Sequence, residues 1–147
     1  GLYFVQTSEY SLTVLLASIP SGILVHNLLL LNEFPDVEAD ALGGRKTTPV
    51  SLGKDRAGRF FQLTTMSVYG WLLLCIAVSF FIDAVIMPVY ALLTVLALPL
   101  AFKAMQGSRM HSDASVFMPA LGANVMFILL FQVLLGMGYV LDKMFPL

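Results

Sequence analysis

Residues Tyr10–Leu31 read YSLTVLLASIPSGILVHNLLLL, and residues Asn32–Thr48 follow directly with NEFPDVEADALGGRKTT. The first segment has no charged residue, and a helix of that length rises roughly 33 Å, enough to cross the ~30 Å hydrocarbon core of a bilayer. The second segment holds four of the nine acidic and two of the eight basic residues of the chain. A membrane-length apolar segment that leads into dense charge predicts chemistry at a membrane surface.

The composition places the whole chain in the membrane-protein class. Of the 147 residues, 59% are hydrophobic and 12% are charged, and the mean hydropathy is +0.87. A soluble domain carries about twice that share of charged residues. The net charge of −1, with Lys and Arg clustered locally, gives no support for nucleic-acid binding.

Three further apolar segments follow the first. They are Phe60–Ile82, Val85–Phe102 and Val116–Leu141, with a very short turn at Asp83. We therefore predict an all-α fold, an integral membrane bundle of four full transmembrane helices. Within the spans we expect interhelical hydrogen bonds from the polar residues and close helix contact at the glycines of the last span: His26, Asn27, Asn124, Gln132, Gly122, Gly136 and Gly138.

The distribution of Lys and Arg predicts the orientation. Five of the eight lie between the first and second spans, two lie between the third and fourth, and Lys143 alone lies on the other side. Because positive residues concentrate on the cytoplasmic side, we expect residues 32–59 to form a cytoplasmic loop of a multi-pass protein of the cell membrane.

The charged loop carries a pattern that suits a metal-bound diphosphate. Asp36 and Asp40 are four residues apart, so on a helix they project from one face about 6 Å apart. Pro35 predicts a break between the transmembrane helix and this motif helix. Two carboxylates suit a hard cation such as Mg²⁺, and Arg45 and Lys46 follow after a Gly-Gly turn as partners for phosphate oxygens. From spacing alone, an ordinary solvated cytoplasmic loop is equally consistent.

Three known motifs do not fit this loop. An EF-hand requires Gly where the chain has Ala41 and Glu where it has Thr47. A phosphate-binding P-loop requires Gly at the position of Arg45 and a preceding strand. The CDP-alcohol phosphotransferase motif requires Gly at the position of Asn32.

The sequence of the charged loop resembles a motif of a known family. Leu31–Asp40 (LNEFPDVEAD), Gly43–Thr47 (GGRKT) and Val50–Gly53 (VSLG) resemble the second aspartate-rich motif of the UbiA-type polyprenyl transferases. Within that superfamily the resemblance is closest to the branch that prenylates dihydroxynaphthoate in menaquinone biosynthesis. The Tyr3-x-x-Gln6-Thr7 pattern upstream is also similar to that branch.

The resemblance implies a nine-helix membrane fold with a cavity that opens to the cytoplasmic side. Two aspartate-rich motifs there hold Mg²⁺ on a polyprenyl diphosphate, whose ionisation leaves an allylic cation that an aromatic acceptor attacks. By position, Asp36 and Asp40 are the catalytic metal ligands. Arg45 and Lys46 contact the diphosphate, and Asn32 supports them.

The family's first motif, of the Asn-Asp-x-x-Asp type, does not occur in these 147 residues. We therefore expect residues 1–147 to be the C-terminal portion of a prenyltransferase domain, inactive in isolation. The implied partners are a polyprenyl diphosphate, an aromatic small molecule and the lipid bilayer. The alternative is a membrane transporter or scaffold subunit whose cytoplasmic loop binds a cation.

Overall fold

The structure is a computed structural model that describes residues 2–82 and 85–146, and this part of the chain is helical without β-strands. Four helices precede the second long apolar segment: α1 (Leu2–Thr7), α2 (Leu12–Asn32), α3 (Val37–Leu42) and α4 (Thr48–Leu52). The rest comprises α5 (Lys54–Phe81), a 3₁₀ helix (Val89–Ala97) that continues into α6 (Leu98–Arg109), and α7 (Ala114–Met144).

Four of these segments are long and apolar enough to cross a membrane: Leu12–Asn32, Lys54–Phe81, Val89–Arg109 and Ala114–Met144. The predicted all-α membrane bundle is confirmed. Three segments extend beyond the predicted spans, back to Lys54 in α5 and on to Arg109 in α6 and Met144 in α7, because backbone hydrogen bonding continues beyond the apolar part of a helix. The third segment also begins four residues later than predicted, at Val89. The predicted turn at Asp83 lies outside the described residues.

The four long helices run antiparallel to their neighbours. Trp71 of α5 donates its indole N–H to the carbonyl of Leu16 in α2 at 3.0 Å. Ser21 of α2 donates to Oε1 of Gln132 in α7 at 2.8 Å. Together with the contacts of α6 to α5 and α7, these pairs close a square bundle in the order α2, α5, α6, α7.

A polar cluster lies inside the bundle. The side chain of Asn27, fully buried, donates to Thr65 Oγ1 at 3.0 Å and accepts from Thr64 Oγ1 at 2.7 Å. Asn124 adds a long bond of 3.5 Å to the Asn27 carbonyl. The predicted interhelical bonds are confirmed here, whereas His26 is exposed and packs its ring edge against Phe60; among the described residues it has no hydrogen-bond partner.

The glycine contacts differ in part from the prediction. A Cβ at Gly138 would lie 2.9 Å from the backbone of Ala91, so close contact with the 3₁₀ helix is confirmed at that position. Positions 122 and 136 face open space, so the prediction was wrong for Gly122 and Gly136. The tight crossings that sequence did not indicate are at Gly58, against the Ser108 carbonyl, and at Gly107, against the Ala120 side chain.

Candidate functional site

The motif loop, residues 33–53 between α2 and α5, leaves the bundle at Phe34. The chain stops being helical after Asn32, as Pro35 predicts, and α3 begins at Val37. Phe34 is 1% exposed and stacks on Phe117 of α7 with ring centroids 5.9 Å apart. This aromatic contact fixes the start of the loop to the end of the bundle.

The same end of the bundle has its own apolar cluster beneath the loop. Its buried members come from α2, α5, α6 and α7: Leu30, Leu31, Phe34, Ala57, Phe61, Ala104 and Phe117. Phe34 at the start of the loop is therefore packed among side chains from all four long helices.

The two predicted carboxylates occupy different environments. Asp36 is exposed at the N-cap of α3, and its carbonyl accepts the Asp40 N–H at 2.8 Å. Asp40 is 6% exposed. One helical turn thus separates an accessible carboxylate from a covered one.

Arg45 covers Asp40. Its guanidinium Nη1 donates to Asp40 Oδ1 at 2.8 Å, and its backbone N–H donates to the Asp40 carbonyl at 2.9 Å. The chain reverses through Gly44, whose φ of +73° is strained for any residue with a Cβ. The predicted Gly-Gly turn is confirmed, and it brings Arg45 back onto the motif helix.

The other predicted site residues lie on the surface of the loop. Asn32, the last residue of α2, and Lys46 are exposed, and neither forms a side-chain hydrogen bond within residues 2–82 and 85–146. Thr47 has a buried hydroxyl without a hydrogen-bond partner in the same part of the chain.

The donor set fits part of a metal site. Asp36 and Asp40 supply hard oxygen donors of the kind that Mg²⁺ takes in small number beside water and phosphate. Over the described residues, no three His, Cys, Asp or Glu side chains come together in a way that would hold a metal ion. The pair is therefore compatible with a cation that takes its other ligands from a substrate or from elsewhere.

His111 has a larger role in this end of the bundle than its loop position indicates. Its side chain is 15% exposed; its ring packs on Phe34 at 5.8 Å, and its Nε2 lies 3.1 Å from Oδ1 of Asp55. The two contacts come from α5 and from the segment after α2, which are far away along the chain. No local signal identifies them.

Sequence reasoning also missed a polar cleft on the α5–α6 side. Its lining residues are Asp55, Arg59, Gln62, Ser108 and Arg109, and its volume is about 370 Å³. The spacing of the three α5 residues, four and then three apart, places them on one helix face and was the available signal.

These features define a multi-pass helical membrane protein with a loop of paired acidic and basic residues at one end of its bundle. The chain belongs to the UbiA prenyltransferase family, whose sequence profile matches residues 1–140. The resemblance seen in the motif loop thus extends over nearly the whole chain.

Two relatives indicate the branch within the family. The chain is 32% identical over 138 residues to the 1,4-dihydroxy-2-naphthoate octaprenyltransferase of Haemophilus influenzae, an alignment covering 94% of this chain and 43% of that protein. It is 35% identical over 69 residues to the enzyme of the same name from Bacillus subtilis, covering 47% of this chain and 22% of that protein. The chain therefore spans less than half the length of these relatives. No solved structure shows a significant match.

Proposed function

We propose that the protein takes part in the transfer of a polyprenyl group from a polyprenyl diphosphate to an aromatic acceptor, with dihydroxynaphthoate as the acceptor. The observation that carries this proposal is the similarity to two enzymes named 1,4-dihydroxy-2-naphthoate octaprenyltransferase. Membership of a prenyltransferase family also favours an enzyme over the transporter or scaffold alternative.

The reaction exchanges one bond for another at the allylic carbon. The C–O bond to the diphosphate breaks and its electron pair leaves with the diphosphate oxygen. An aromatic ring carbon then forms a C–C bond to the allylic carbon and loses its proton. The demand on the protein is to neutralise the charge that collects on the leaving diphosphate.

The motif loop suits that demand. Prenyltransferases of this family are generally dependent on a divalent metal; a Mg²⁺ ion held by Asp36 and Asp40 would neutralise part of the diphosphate charge and assist its departure. Arg45 and Lys46 bind the remaining phosphate oxygens with charge-assisted hydrogen bonds. Asn32 orients the diphosphate at the end of α2.

Arg45 has two partners in this scheme. It pairs with the Asp40 carboxylate, at an Nη1–Oδ1 distance of 2.8 Å. With substrate it turns toward the diphosphate, which its 69% exposed side chain allows. In that arrangement the Asp40 carboxylate would be free to hold a metal ion.

We further propose that these residues form one side of the site and that the other metal ligands come from residues beyond this chain in the longer protein. Two carboxylates are few for a cation that also holds a diphosphate, and the relatives are more than twice as long as the part they share with this chain. Residues 32–59, which comprise the motif loop and the start of α5, face the cytoplasm in this proposal, because seven of the eight Lys and Arg residues lie at this end of the bundle.

The test is prenyl transfer by the natural full-length protein in membranes, measured with labelled polyprenyl diphosphate and dihydroxynaphthoate. Asp36→Asn and Asp40→Asn should lower turnover at least about 100-fold, since each removes a charged metal ligand. Glu38→Gln is the matched control, because Glu38 is an exposed acid of the same helix. Both Asn variants should also lose Mn²⁺ binding, measured by electron paramagnetic resonance.

Wild-type turnover in both Asn variants would contradict the assignment of the site. Transfer by residues 1–147 alone would contradict the proposal that further ligands lie elsewhere. Equal activity with several acceptors and none with dihydroxynaphthoate would contradict the acceptor.

A further inference from the structure

The α5 helix presents one continuous stripe that changes from polar to apolar along its length. Its members recur every three or four residues and so share one face: Asp55, Arg59, Gln62, Met66, Tyr69 and Leu73. The polar half lies at the end of the bundle that carries the motif loop. The apolar half lies within the segment long enough to cross the membrane.

The facing stripe on α6 and the 3₁₀ helix changes in the same direction. Reading back from the motif-loop end, it consists of Arg109, Met105, Phe102, Leu98, Val95 and Leu92. Two antiparallel helices thus place their polar ends together and their apolar parts together.

Three adjoining spaces lie between the stripes and together form a groove. The polar cleft of about 370 Å³ adjoins a second space of about 530 Å³, because Gln62 and Arg109 line both. That second space adjoins an apolar one of about 310 Å³, because Phe102 lines both. A single groove therefore runs from a cationic cleft into an apolar channel on the outside of the bundle.

The cleft carries a net positive charge because its lining has two arginines, Arg59 and Arg109, and one carboxylate, Asp55. Asp55 lies 3.1 Å from His111, whereas Arg59 and Arg109 form no ion pair within the described residues. Gln62 donates its amide to the Ser108 hydroxyl at 3.2 Å, and that hydroxyl donates to the Met105 carbonyl at 2.8 Å, so the floor of the cleft is fixed. Both guanidinium groups remain available to an anion.

From this arrangement we propose that the groove between α5 and α6 is a binding site for an anionic phospholipid. Arg59 and Arg109 bind the phosphate of the head group, and one acyl chain lies along the apolar stripe. The fourteen helical steps from Arg59 to Leu73 rise about 21 Å. The stripe therefore covers the hydrocarbon of one leaflet, about 15 Å, together with the head-group region next to it. A cationic end at the interface with an apolar continuation toward the membrane centre is complementary in charge and depth to a lipid of one leaflet.

A polyprenyl diphosphate is a poorer match for this groove. In the proposed function, the substrate diphosphate is held through a metal ion and a pair of carboxylates. The cleft has only one carboxylate, that of Asp55. Asp36 and Asp40 do not line it. The groove is therefore separate from the proposed substrate site, and its lipid is expected to bind whether or not the protein transfers prenyl groups.

Native mass spectrometry of the purified protein in detergent tests this proposal with long-chain phosphatidylglycerol and phosphatidylcholine as probes. The wild type should retain phosphatidylglycerol in clear preference. The double variant Arg59→Gln with Arg109→Gln should lose about tenfold in phosphatidylglycerol affinity, since each cation near the interface contributes to anionic lipid binding. The matched control is Arg56→Gln with Lys103→Gln, which removes two cations from the same helices outside the groove.

Two further probes separate the sources of the anion. Dihexanoyl phosphatidylglycerol should bind more weakly than the long-chain lipid, and inorganic phosphate should not displace the long-chain lipid. Equal losses in the two double variants, equal retention of both lipids, or displacement by phosphate would each overturn the proposal. If farnesyl diphosphate displaced bound phosphatidylglycerol from the groove, the proposal would also be overturned, and the groove would be assigned to the substrate.

Discussion

Arg45 contacts Asp40 twice, through its guanidinium at 2.8 Å from Oδ1 and through its backbone N–H at 2.9 Å from the carbonyl oxygen. The backbone bond holds the turn after α3, and the side-chain bond covers a carboxylate that is proposed to bind metal. A substitution of the Arg45 side chain removes only the guanidinium contact and leaves the backbone hydrogen bond. The two contacts can therefore be tested separately for their effects on stability and on activity.

Arg45→Gln should separate the two roles. Its effect on the unfolding free energy should be about 1–3 kcal/mol, because the buried Asp40 carboxylate loses its side-chain partner although the guanidinium itself is 69% exposed. In the full-length enzyme the KM for polyprenyl diphosphate should rise about tenfold or more, since a charged hydrogen bond to phosphate is lost. Steady-state kinetics and thermal unfolding in detergent measure the two effects, with Arg56→Gln as control. An unchanged KM would remove Arg45 from the diphosphate site.

Phe34→Ala should loosen the motif loop. Phe34 is 1% exposed and packs on Phe117 and His111, and truncating a buried Phe costs about 3–5 kcal/mol. We expect a lower melting temperature and faster proteolysis within residues 33–53. Phe81→Ala is the control, because Phe81 is 87% exposed; equal losses in the two variants would show that Phe34 does not anchor the loop.

Gly107→Ala should destabilise the α6–α7 crossing. An added methyl group would collide with the Ala120 side chain, so the helices must separate there. Gly122 of α7 faces open space among the described residues. Gly122→Ala should therefore leave the unfolding free energy unchanged or raise it by up to about 1 kcal/mol, since Ala has the higher helix propensity. Unfolding in mixed micelles compares the two. A more stable Gly107→Ala variant would contradict the packing of α6 on α7.

Asn27→Leu should cost more than Asn124→Leu. Asn27 forms two short interhelical bonds, at 2.7 and 3.0 Å, whereas Asn124 has one long bond and a buried Oδ1 without a partner in the described part of the chain. Hydrogen bonds between membrane helices contribute about 0.6 kcal/mol on average and about 1.7 at most, so the expected difference is on the order of 1 kcal/mol. The same unfolding measurement decides it, and the reverse order would contradict Asn27 as the centre of the cluster.

Asp113→Ala should lower stability in a pH-dependent way. The Ser115 side chain and its backbone N–H donate to Asp113 at 2.6 and 2.9 Å and hold the pKa of its carboxyl below the usual 3.8. A lowered pKa adds stability that is present above the unfolded value and is lost as the pH falls through the folded one. The difference in melting temperature between wild type and variant should therefore shrink on acidification below about pH 4. Glu9→Ala is the control, and a difference that grows on acidification would contradict the capping role.

More of the fold than of the site was predictable from the sequence. The four spans and the break at Pro35 follow from apolar length and from proline geometry, which are local properties. The family follows from residues 31–53, which lie within one short stretch. The burial of Asp40 was not predictable, because the spacing of Asp36 and Asp40 is the same whether their helix is solvated or packed.

The sequence by itself therefore determined the class of fold, the end of the bundle where positive charge collects, and the residues from which a diphosphate site would be built. Hydropathy and charge depend on residue identity and are retained in any packing of the helices. Only the tertiary structure decided that Arg45 shields Asp40, that His111 joins Phe34 to Asp55, and that Arg59 and Arg109 meet across a groove. Arg59 and Arg109 are brought together by the packing of α5 on α6 at Gly58 and Ser108, and such packing depends on the shapes of two surfaces rather than on any pattern within one segment.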